Sequence, residues 1–302
     1  VTKPLFAFAN TWPLVLFIRV IERIGKGIRT APRDAIVADS CEECVRGKVF
    51  GFHRAADGIG STLGAIIAFS LLTVMDYKDI FLLAFIPGIL SVFAILFVKE
   101  RYAPAPARAG MEPLHVSLKA LPMNLRLFII VSALFAFGQF GYAFLLLKAH
   151  DIGLADDRAI LLYAFFYVIY TLCSIPSGAL SDRIGRKPIL IGGYVMFAIT
   201  SLGLVFASSG WTLLVFFGTY GVFFAMIDGV QRALVVDLSP PHLKATALGT
   251  FHTAIGLAAL PGGIVAGLLW DRISPESTFI YGLALAILSM ALFVFVRTRN
   301  PR

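Results

Sequence analysis

The sequence predicts an all-α, polytopic transmembrane helix bundle, on the evidence of its composition and its hydropathy pattern. Of the 302 residues, 58% are hydrophobic and only 15% are charged, and the mean hydropathy is +0.85. Soluble domains carry roughly 25% charged residues. Runs of about 20 apolar residues, the length that crosses roughly 30 Å of hydrocarbon, recur along almost the whole chain. A chain of this kind is built from many membrane-spanning helices.

Nine full spans are predicted after a short apolar fragment at 1–8, which we interpret as the end of a further span. The predicted spans are 12–39, 48–74, 79–98, 124–148, 159–180, 188–208, 211–238, 244–270 and 277–297. Between the third and fourth of these, residues 99–122 are rich in Pro, Ala and charge and have no apolar face to bury. This segment is predicted to be a linker.

The links between spans differ in positive charge, which sets the orientation of a membrane protein. One side carries Arg46, Lys48, Lys99, Arg101, Arg108, Lys119, Arg126, Arg183, Arg186, Lys187, Lys244, Arg297, Arg299 and Arg302. The other side carries only Lys78, Lys148, Arg158 and Arg272. The first side, which includes the C-terminus, is therefore predicted to be cytoplasmic.

A short basic link joins two long apolar runs at 178–188. Its candidate gating residues are Gly178, Asp182, Arg183, Gly185, Arg186 and Lys187. Glycine permits a tight turn there, and Pro188 can begin the next helix. The pattern Gly-Ala-Leu-Ser-Asp-Arg-Ile-Gly-Arg-Lys-Pro closely resembles the signature loop of the major facilitator superfamily of secondary transporters. A generic basic turn between two spans is the alternative.

The chain repeats itself with a shift of 198 residues, and this superfamily is built from parallel six-span repeats. Ala35–Asp39 aligns with Ala233–Asp237, Arg46 aligns with Lys244, and Gly51 aligns with Gly249. The register predicts 1–98 as a partial N-terminal bundle containing the end of span 3 and spans 4–6. It predicts 99–122 as a cytoplasmic linker and 123–302 as a C-terminal bundle of spans 7–12.

The same register places the first-half copy of the signature loop upstream of residue 1. The fold is therefore expected to be N-terminally truncated by roughly 80 or more residues. We expect the upstream reading frame to encode further spans and a second Gly-x-Leu-Ser-Asp-Arg loop. On this expectation Asp39, the counterpart of Asp237, loses the cationic loop with which it should pair, and residues 1–302 alone do not transport.

Charged residues recur every three or four positions in the first predicted span. The candidates for solute or coupling contacts here are Arg19, Glu22, Arg23, Lys26, Arg29, Arg33 and Asp34. On a helix they form one stripe, and charges at membrane depth must face water or a partner. A net cationic stripe lining a cavity would favour an anionic or zwitterionic solute. The alternative is a span that ends near Ile21 and continues as a basic loop through Gly25, Gly27 and Pro32.

Polar residues in other spans supply the remaining candidates, which are Asp57, Gln139, Asp228 and Arg232. Asp57 follows Arg54 by three residues and Asp228 precedes Arg232 by four, spacings that place two side chains together on one helix. The pairs are either satisfied buried ion pairs or carboxylates that carry protons as access alternates. His53 and His252 are predicted to be packing or interfacial residues.

The sequence lacks the residues that several classes of function require. The chain has no phosphate-binding Gly-x-x-x-x-Gly-Lys-Ser/Thr motif, and Cys41 and Cys44 form one C-x-x-C without a second pair or suitably spaced His. His and Cys are too few and too scattered for an intramembrane enzyme. We expect no catalytic residue, no metal and no cofactor, and no nucleic-acid partner for the net charge of +8.

The resemblance implies a secondary transporter of a bacterial inner membrane that moves a small solute by alternating access. We expect a proton as the coupling partner and a monomer in the lipid bilayer. A membrane sensor on the same fold and a non-functional transporter fragment are the alternatives. In one access state Asp182 is expected at a helix N-terminus of the other half, where the helix dipole favours an anion. Arg183 or Arg186 is expected to reach Asp237.

Overall fold

The computed structural model describes residues 3–95, 97 and 121–298, which are helical and contain no β-strand. The helices are α1 (Trp12–Asp39), α2 (Arg46–Leu71), α3 (Tyr77–Leu83), α4 (Phe85–Ile95), α5 (Met123–Gly138), α6 (Tyr142–Asp151), α7 (Asp156–Ile184), α8 (Arg186–Val205), α9 (Gly210–Leu238), α10 (Lys244–Arg272) and α11 (Pro275–Phe293). In this part of the chain, seven segments are long and apolar enough to cross a membrane: α3 with α4, α5 with α6, and each of α7 to α11. The prediction of an all-α membrane bundle is confirmed.

The first charged span is a continuous helix. α1 runs from Trp12 to Asp39 through Gly25, Gly27 and Pro32, so the alternative of a basic loop after Ile21 is wrong. Neither α1 nor α2 is among the seven strongly apolar segments, because polar and charged residues lower their hydropathy. Both helices need partners for those charges.

Two predicted spans are interrupted. The span 79–98 is divided at Ala84 into α3 and α4, and the span 124–148 is divided by Gln139–Gly141 into α5 and α6. At the second break, the hydroxyl of Tyr281 donates to the carbonyl of Phe137 and that of Tyr220 donates to the carbonyl of Phe140, each at 2.8 Å. Backbone groups at membrane depth require such partners, so side chains of α9 and α11 stabilise the break.

Contacts divide the described residues into two compact units. One contains the described parts of Val1–Arg29 and Ala68–Ser117, and the other those of Thr30–Ile67 and Leu118–Arg302. In the first unit, the guanidinium of Arg19 lies 4.9 Å from the ring centroid of Phe6. In the second, α5, α8 and α9 share a buried aromatic core that includes Phe135, Phe197 and Phe223. Residues 99–120 of the predicted linker lie outside the described part.

Candidate functional site

The end of α7 binds the start of α2. The carboxylate of Asp182 accepts hydrogen bonds from the backbone N–H of Gly47 at 2.8 Å and of Lys48 at 2.7 Å. These N–H groups belong to the first turn of α2, where they have no partner within the helix and the helix dipole favours a negative charge. The geometry expected for Asp182 is therefore present.

Asp237, near the end of α9, holds two arginines. Arg186 donates from Nε to the Asp237 carboxylate at 2.9 Å, and Arg46 forms a second, shorter contact with it. Both arginines are buried. Of the two arginines considered for Asp237, Arg186 makes the contact, whereas Arg183 is exposed. Asp237 thus joins the start of α2 and the start of α8 to the end of α9.

The other members of the basic link have structural partners. Gly185 adopts a φ of +98° between α7 and α8, a backbone conformation that favours glycine. Lys187 donates from Nζ to the carbonyls of Val294 and Val296, at 2.7 and 2.9 Å. It therefore secures the residues that follow α11.

A second ion pair repeats the contact between Asp237 and Arg46. The Nζ of Lys244 lies 2.8 Å from the carboxylate of Asp39, and these residues lie 198 positions from Arg46 and Asp237 respectively. The start of α10 therefore supplies one cation to Asp39, whereas the expectation concerns an upstream basic loop and stays a prediction. We call the whole set the outer ion layer, consisting of Asp39, Arg46, Asp182, Arg186, Asp237 and Lys244.

Glycines bring α2 against α7 beside this layer. A Cβ added to Gly47 would lie 2.5 Å from the carbonyl oxygen of Gly178, and one added to Gly51 would lie 2.4 Å from that of Ser174. Real Cβ contacts are not that short. The backbones of the two helices can therefore approach this closely only where these positions are glycine.

Asp34, near the end of α1, is the centre of a second group of charges. Its side chain is fully buried. It accepts from Arg232 Nε at 2.8 Å and Arg54 Nη2 at 3.1 Å, and lies 3.1 Å from His252 Nε2. Arg33 approaches the same carboxylate at 3.4 Å. α1, α2, α9 and α10 meet at this one side chain.

The two same-helix pairs predicted from the sequence are both present and are linked through Asp34. Arg54 donates to Asp57 at 3.0 Å, and Arg232 contacts Asp228 one turn away. The hydroxyl of Tyr170 on α7 donates to Asp228 at 2.8 Å. We call Arg33, Asp34, Arg54, Asp57, Asp228, Arg232 and His252 the inner ion cluster. Its three arginines and three aspartates balance.

The inner ion cluster follows the sequence repeat. Asp34 and Arg232 lie 198 residues apart, as do Arg54 and His252. Asp34 precedes Asp39 by five residues and Arg54 follows Arg46 by eight. At about 1.5 Å per helical residue, the cluster lies about 8–12 Å farther along the helices from the link between α1 and α2 than the outer ion layer.

The predicted stripe on α1 is divided. Arg19 pairs with Glu22 at 3.0 Å in the first unit, whereas Arg33 and Asp34 belong to the inner ion cluster in the second. Arg29 is exposed, and the side chains of Arg23 and Lys26 lie outside the described part of the structure. Gln139 lies at the break between α5 and α6, apart from the charged residues.

His252 is the site residue that the sequence analysis misassigned. It was predicted to be a packing or interfacial residue, but it contacts the buried carboxylate of Asp34. The shift of 198 that aligns it with Arg54 could have identified it. The other histidine considered, His53, is half-buried, and its Nε2 has no hydrogen-bond partner among the described residues. Tyr170 had no distinguishing pattern in the sequence.

The described residues contain no group of three or more His, Cys, Asp or Glu that could hold a metal ion. Cys41 and Cys44 are free thiols. Burial raises the pKa of the Cys41 thiol, which lies in the link between α1 and α2. A protonated thiol is a poor metal ligand.

Comparison with known proteins gives concordant matches. The family profile described as Major Facilitator Superfamily matches residues 4–155 and 127–302. An uncharacterised MFS-type transporter of Methanocaldococcus jannaschii is 40% identical over 302 residues, covering 97% of this chain and 75% of the relative. The crystal structure of the human organic anion transporter MFSD10 (TETRAN) has a TM-score of 0.71 at 20% identity, covering 97% of this chain and 74% of that one. The proton:xylose symporter XylE bound to 6-bromo-6-deoxy-D-glucose has a TM-score of 0.72 at 21% identity, covering 100% and 78%.

Replacing Gly51→Ala should separate α2 from α7, because the new methyl group would overlap the carbonyl of Ser174. The measurement is the distance between spin labels at the exposed positions Lys48 on α2 and Arg183 on α7, each changed to Cys in a protein whose native cysteines are Ser. The distribution should move to longer distances. Gly60→Ala on the same helix is the matched control, because nothing lies within 4 Å of its added Cβ. An unchanged distribution in Gly51→Ala would contradict a close-packed seam.

Substitution of Asp237 should weaken the outer ion layer more than substitution of the repeat-related Asp39. Asp237→Asn leaves two buried arginines without their anion and should weaken the outer ion layer by about 1.5–3 kcal/mol. Asp39→Asn removes one pair in which the carboxylate is 65% exposed and should cost about 0–1 kcal/mol. Spin labels at the exposed positions Lys48 and His242, the latter between α9 and α10, measure both variants. Equal effects of the two substitutions would show that burial of the arginines does not matter.

Proposed function

The chain belongs to the major facilitator superfamily, and from this premise we propose that it is a secondary active transporter that moves a small solute by alternating access and couples the movement to protons. One observation carries the proposal. The end of α1 and the N-terminal half of α2 in the first repeat are joined to α9 and α10 in the second by two layers of ion pairs. This arrangement suits a conformation closed on the cytoplasmic side, with the C-terminus on that side of a bacterial inner membrane.

The contacts of the outer ion layer are suited to repeated breaking. The exposed pair of Asp39 with Lys244 is worth about 0–1 kcal/mol, the anion at the start of α2 about 0.3–1 kcal/mol, and a hydrogen bond between Asp237 and a buried arginine about 1.5–3 kcal/mol. Their groups regain water when they separate, so opening leaves few unsatisfied partners. Moving a two-state equilibrium from 1:99 to 99:1 requires about 5.5 kcal/mol. A handful of such contacts supplies a closing free energy of this order without locking the protein.

Proton coupling is proposed for the inner ion cluster. Its carboxylates are Asp34, Asp57 and Asp228, and neutralising any of them would leave an arginine with excess positive charge at membrane depth. The side chain of Asp57 is 46% exposed, so it can exchange a proton with water. Asp34 is fully enclosed and can do so only when the helices part. Protonation of Asp57 would loosen Arg54, which also holds Asp34.

The charge of the solute is not set by this cluster. The charges of its three arginines and three aspartates sum to zero. The inner ion cluster therefore gives no support to the expectation of an anionic or zwitterionic solute. The protein is proposed to function as a monomer in a lipid bilayer. A sensor on the same fold would bind the solute without moving it, and flux measurements separate the two functions.

The proposal is tested first by a thermal-shift screen of the intact protein against sugars, organic anions and cationic drugs. A hit is then measured for uptake into proteoliposomes under an imposed pH gradient. Gradient-driven accumulation that a protonophore abolishes is the expected result. Binding without any flux, in a protein that remains folded, would favour a sensor.

Asp57→Asn should uncouple transport from protons, because the variant retains the shape of the side chain but cannot change charge. Solute exchange without a gradient should persist, whereas accumulation driven by a pH gradient should be lost. Asp271→Asn is the control, since Asp271 is exposed at the opposite end of α10. Accumulation by Asp57→Asn at the wild-type level would assign coupling to another carboxylate.

Asp182→Asn should lower flux and shift the protein towards the state that is open to the cytoplasm. The amide keeps one acceptor oxygen but loses the charge that the start of α2 favours, and a loss of about 1 kcal/mol shifts the two populations about fivefold. Cysteine accessibility at the cytoplasmic ends reports the shift. Wild-type flux together with unchanged accessibility would exclude a gating role for Asp182.

A further inference from the structure

Three tyrosines form a continuous aromatic surface beside the break between α5 and α6. Tyr142 is the first residue of α6, and its ring centroid lies 5.0 Å from that of Tyr163 on α7. The ring of Tyr167 lies 4.9 Å from that of Tyr163. All three side chains are half-buried. We call these residues the tyrosine wall.

The hydroxyl groups of the tyrosine wall differ from those of the other tyrosines packed nearby. Tyr170, Tyr220 and Tyr281 each donate to a fixed acceptor of the protein at 2.8 Å. The side chain of Tyr163 instead lies beside those of Tyr142 and Tyr167, with ring centroids 5.0 and 4.9 Å away. A phenol has one donor and two lone pairs. A mutual cluster of three therefore retains acceptor capacity for another molecule.

The tyrosine wall lies directly outward of the inner ion cluster. Tyr163, Tyr167 and Tyr170 follow one another at spacings of four and three, so they share one face of α7. On that face Tyr170 is 5% exposed and bound to Asp228, and it packs near Gly58 of α2. Tyr163 is seven residues, or about 10 Å, farther from the predicted cytoplasmic end. On this face of α7, the side chain of Tyr170 is buried against α2, whereas the side chain of Tyr163 is partly exposed.

We propose that Tyr142, Tyr163 and Tyr167 contact the transported solute, and that this solute is an uncharged ring compound bearing hydroxyl or carbonyl groups. The inference rests on the proposed transport function and adds the site and the class of its solute. Aromatic faces pack against a flat or ring-shaped apolar surface, while tyrosine hydroxyls bond to polar groups at its rim. Three tyrosines at adjoining positions supply both kinds of contact.

The charges nearby favour an uncharged solute over an ion. The nearest part of the inner ion cluster is Asp228, which is engaged by Arg232, Arg54 and Tyr170. A cation could bind to tyrosine faces, but the arginines of the cluster would repel it. An anion would meet the aspartates, which already balance those arginines. Neither sign of charge gains a partner without breaking an existing ion pair.

The test uses the intact protein with its native cysteines changed to Ser and one new cysteine at a time. Tyr163→Cys and Tyr167→Cys should react with a membrane-impermeant maleimide added from outside, whereas Tyr170→Cys should not. The probes share a nitrophenyl ring: neutral 4-nitrophenyl β-D-glucopyranoside, anionic 4-nitrophenyl phosphate and cationic 4-nitrobenzylamine. The neutral probe should slow the reaction at 163 and 167, and the charged probes should not.

Each result decides a separate point. Unreactive cysteines at 163 and 167, or no protection by any of the three probes, would overturn the location. Stronger protection by a charged probe would overturn the solute class. The labelling does not require transport, so absence of flux with intact protection would reject the proposed function and leave the binding site standing.

Hydroxyl deletion gives an independent measurement. Tyr163→Phe and Tyr167→Phe should each weaken binding of 4-nitrophenyl β-D-glucopyranoside by about twofold to tenfold in calorimetric titration. Tyr77→Phe is the matched control, because Tyr77 is exposed at the start of α3 and belongs to the other compact unit. Equal affinity in the wild type and both wall variants would overturn a role for these hydroxyls.

Discussion

The pairing of Asp34 is the constraint on which the described site depends. A charged side chain within a membrane helix is costly unless it has a partner or water, and Asp34, near the end of α1, is fully buried. Its partners come from α2, α9 and α10, so the carboxylate is stable only while those helices remain together. Once they part, water must reach it. A group of this kind resists partial opening and favours two distinct arrangements, one dry and paired and the other open and wet.

The repeat explains why some related positions keep their chemistry and others do not. Asp39 and Asp237 are the same residue type because each meets a cation of the other repeat, Lys244 and Arg46 respectively. Asp34 and Arg232 occupy equivalent positions but contact each other directly. Two identical charges there would repel, so a duplicated chain can close only if these copies differ in sign. The same geometry thus preserves charge at the outer ion layer and requires opposite charges in the inner ion cluster.

Sequence patterns predicted the features that are set by residues close together on one helix. The spacing of Arg54 with Asp57 and of Asp228 with Arg232 identified pairs that the structure contains, and the apolar runs identified the spans. The partner of Asp39 and the role of His252 were missed, because their contacts join residues about 200 positions apart. The break at Gln139–Gly141 was also missed, since its backbone is satisfied by hydroxyls from α9 and α11. Only the repeat register carries such long-range information in a single sequence.

The close approach of α2 to α7 determines how strongly the nearby ion pairs attract. Coulomb attraction between exposed charges is weak in water and grows as water is excluded. At Gly47 and Gly51 the two helices meet backbone to backbone, which brings Arg46 and Asp182 into an environment with little solvent. The glycines contribute almost no attraction themselves. They remove the side chains that would hold the helices apart, and so allow the short-range hydrogen bonds at the start of α2 to form. The charges determine which helices attract each other. The glycines determine whether those helices approach closely enough for the attraction to be strong.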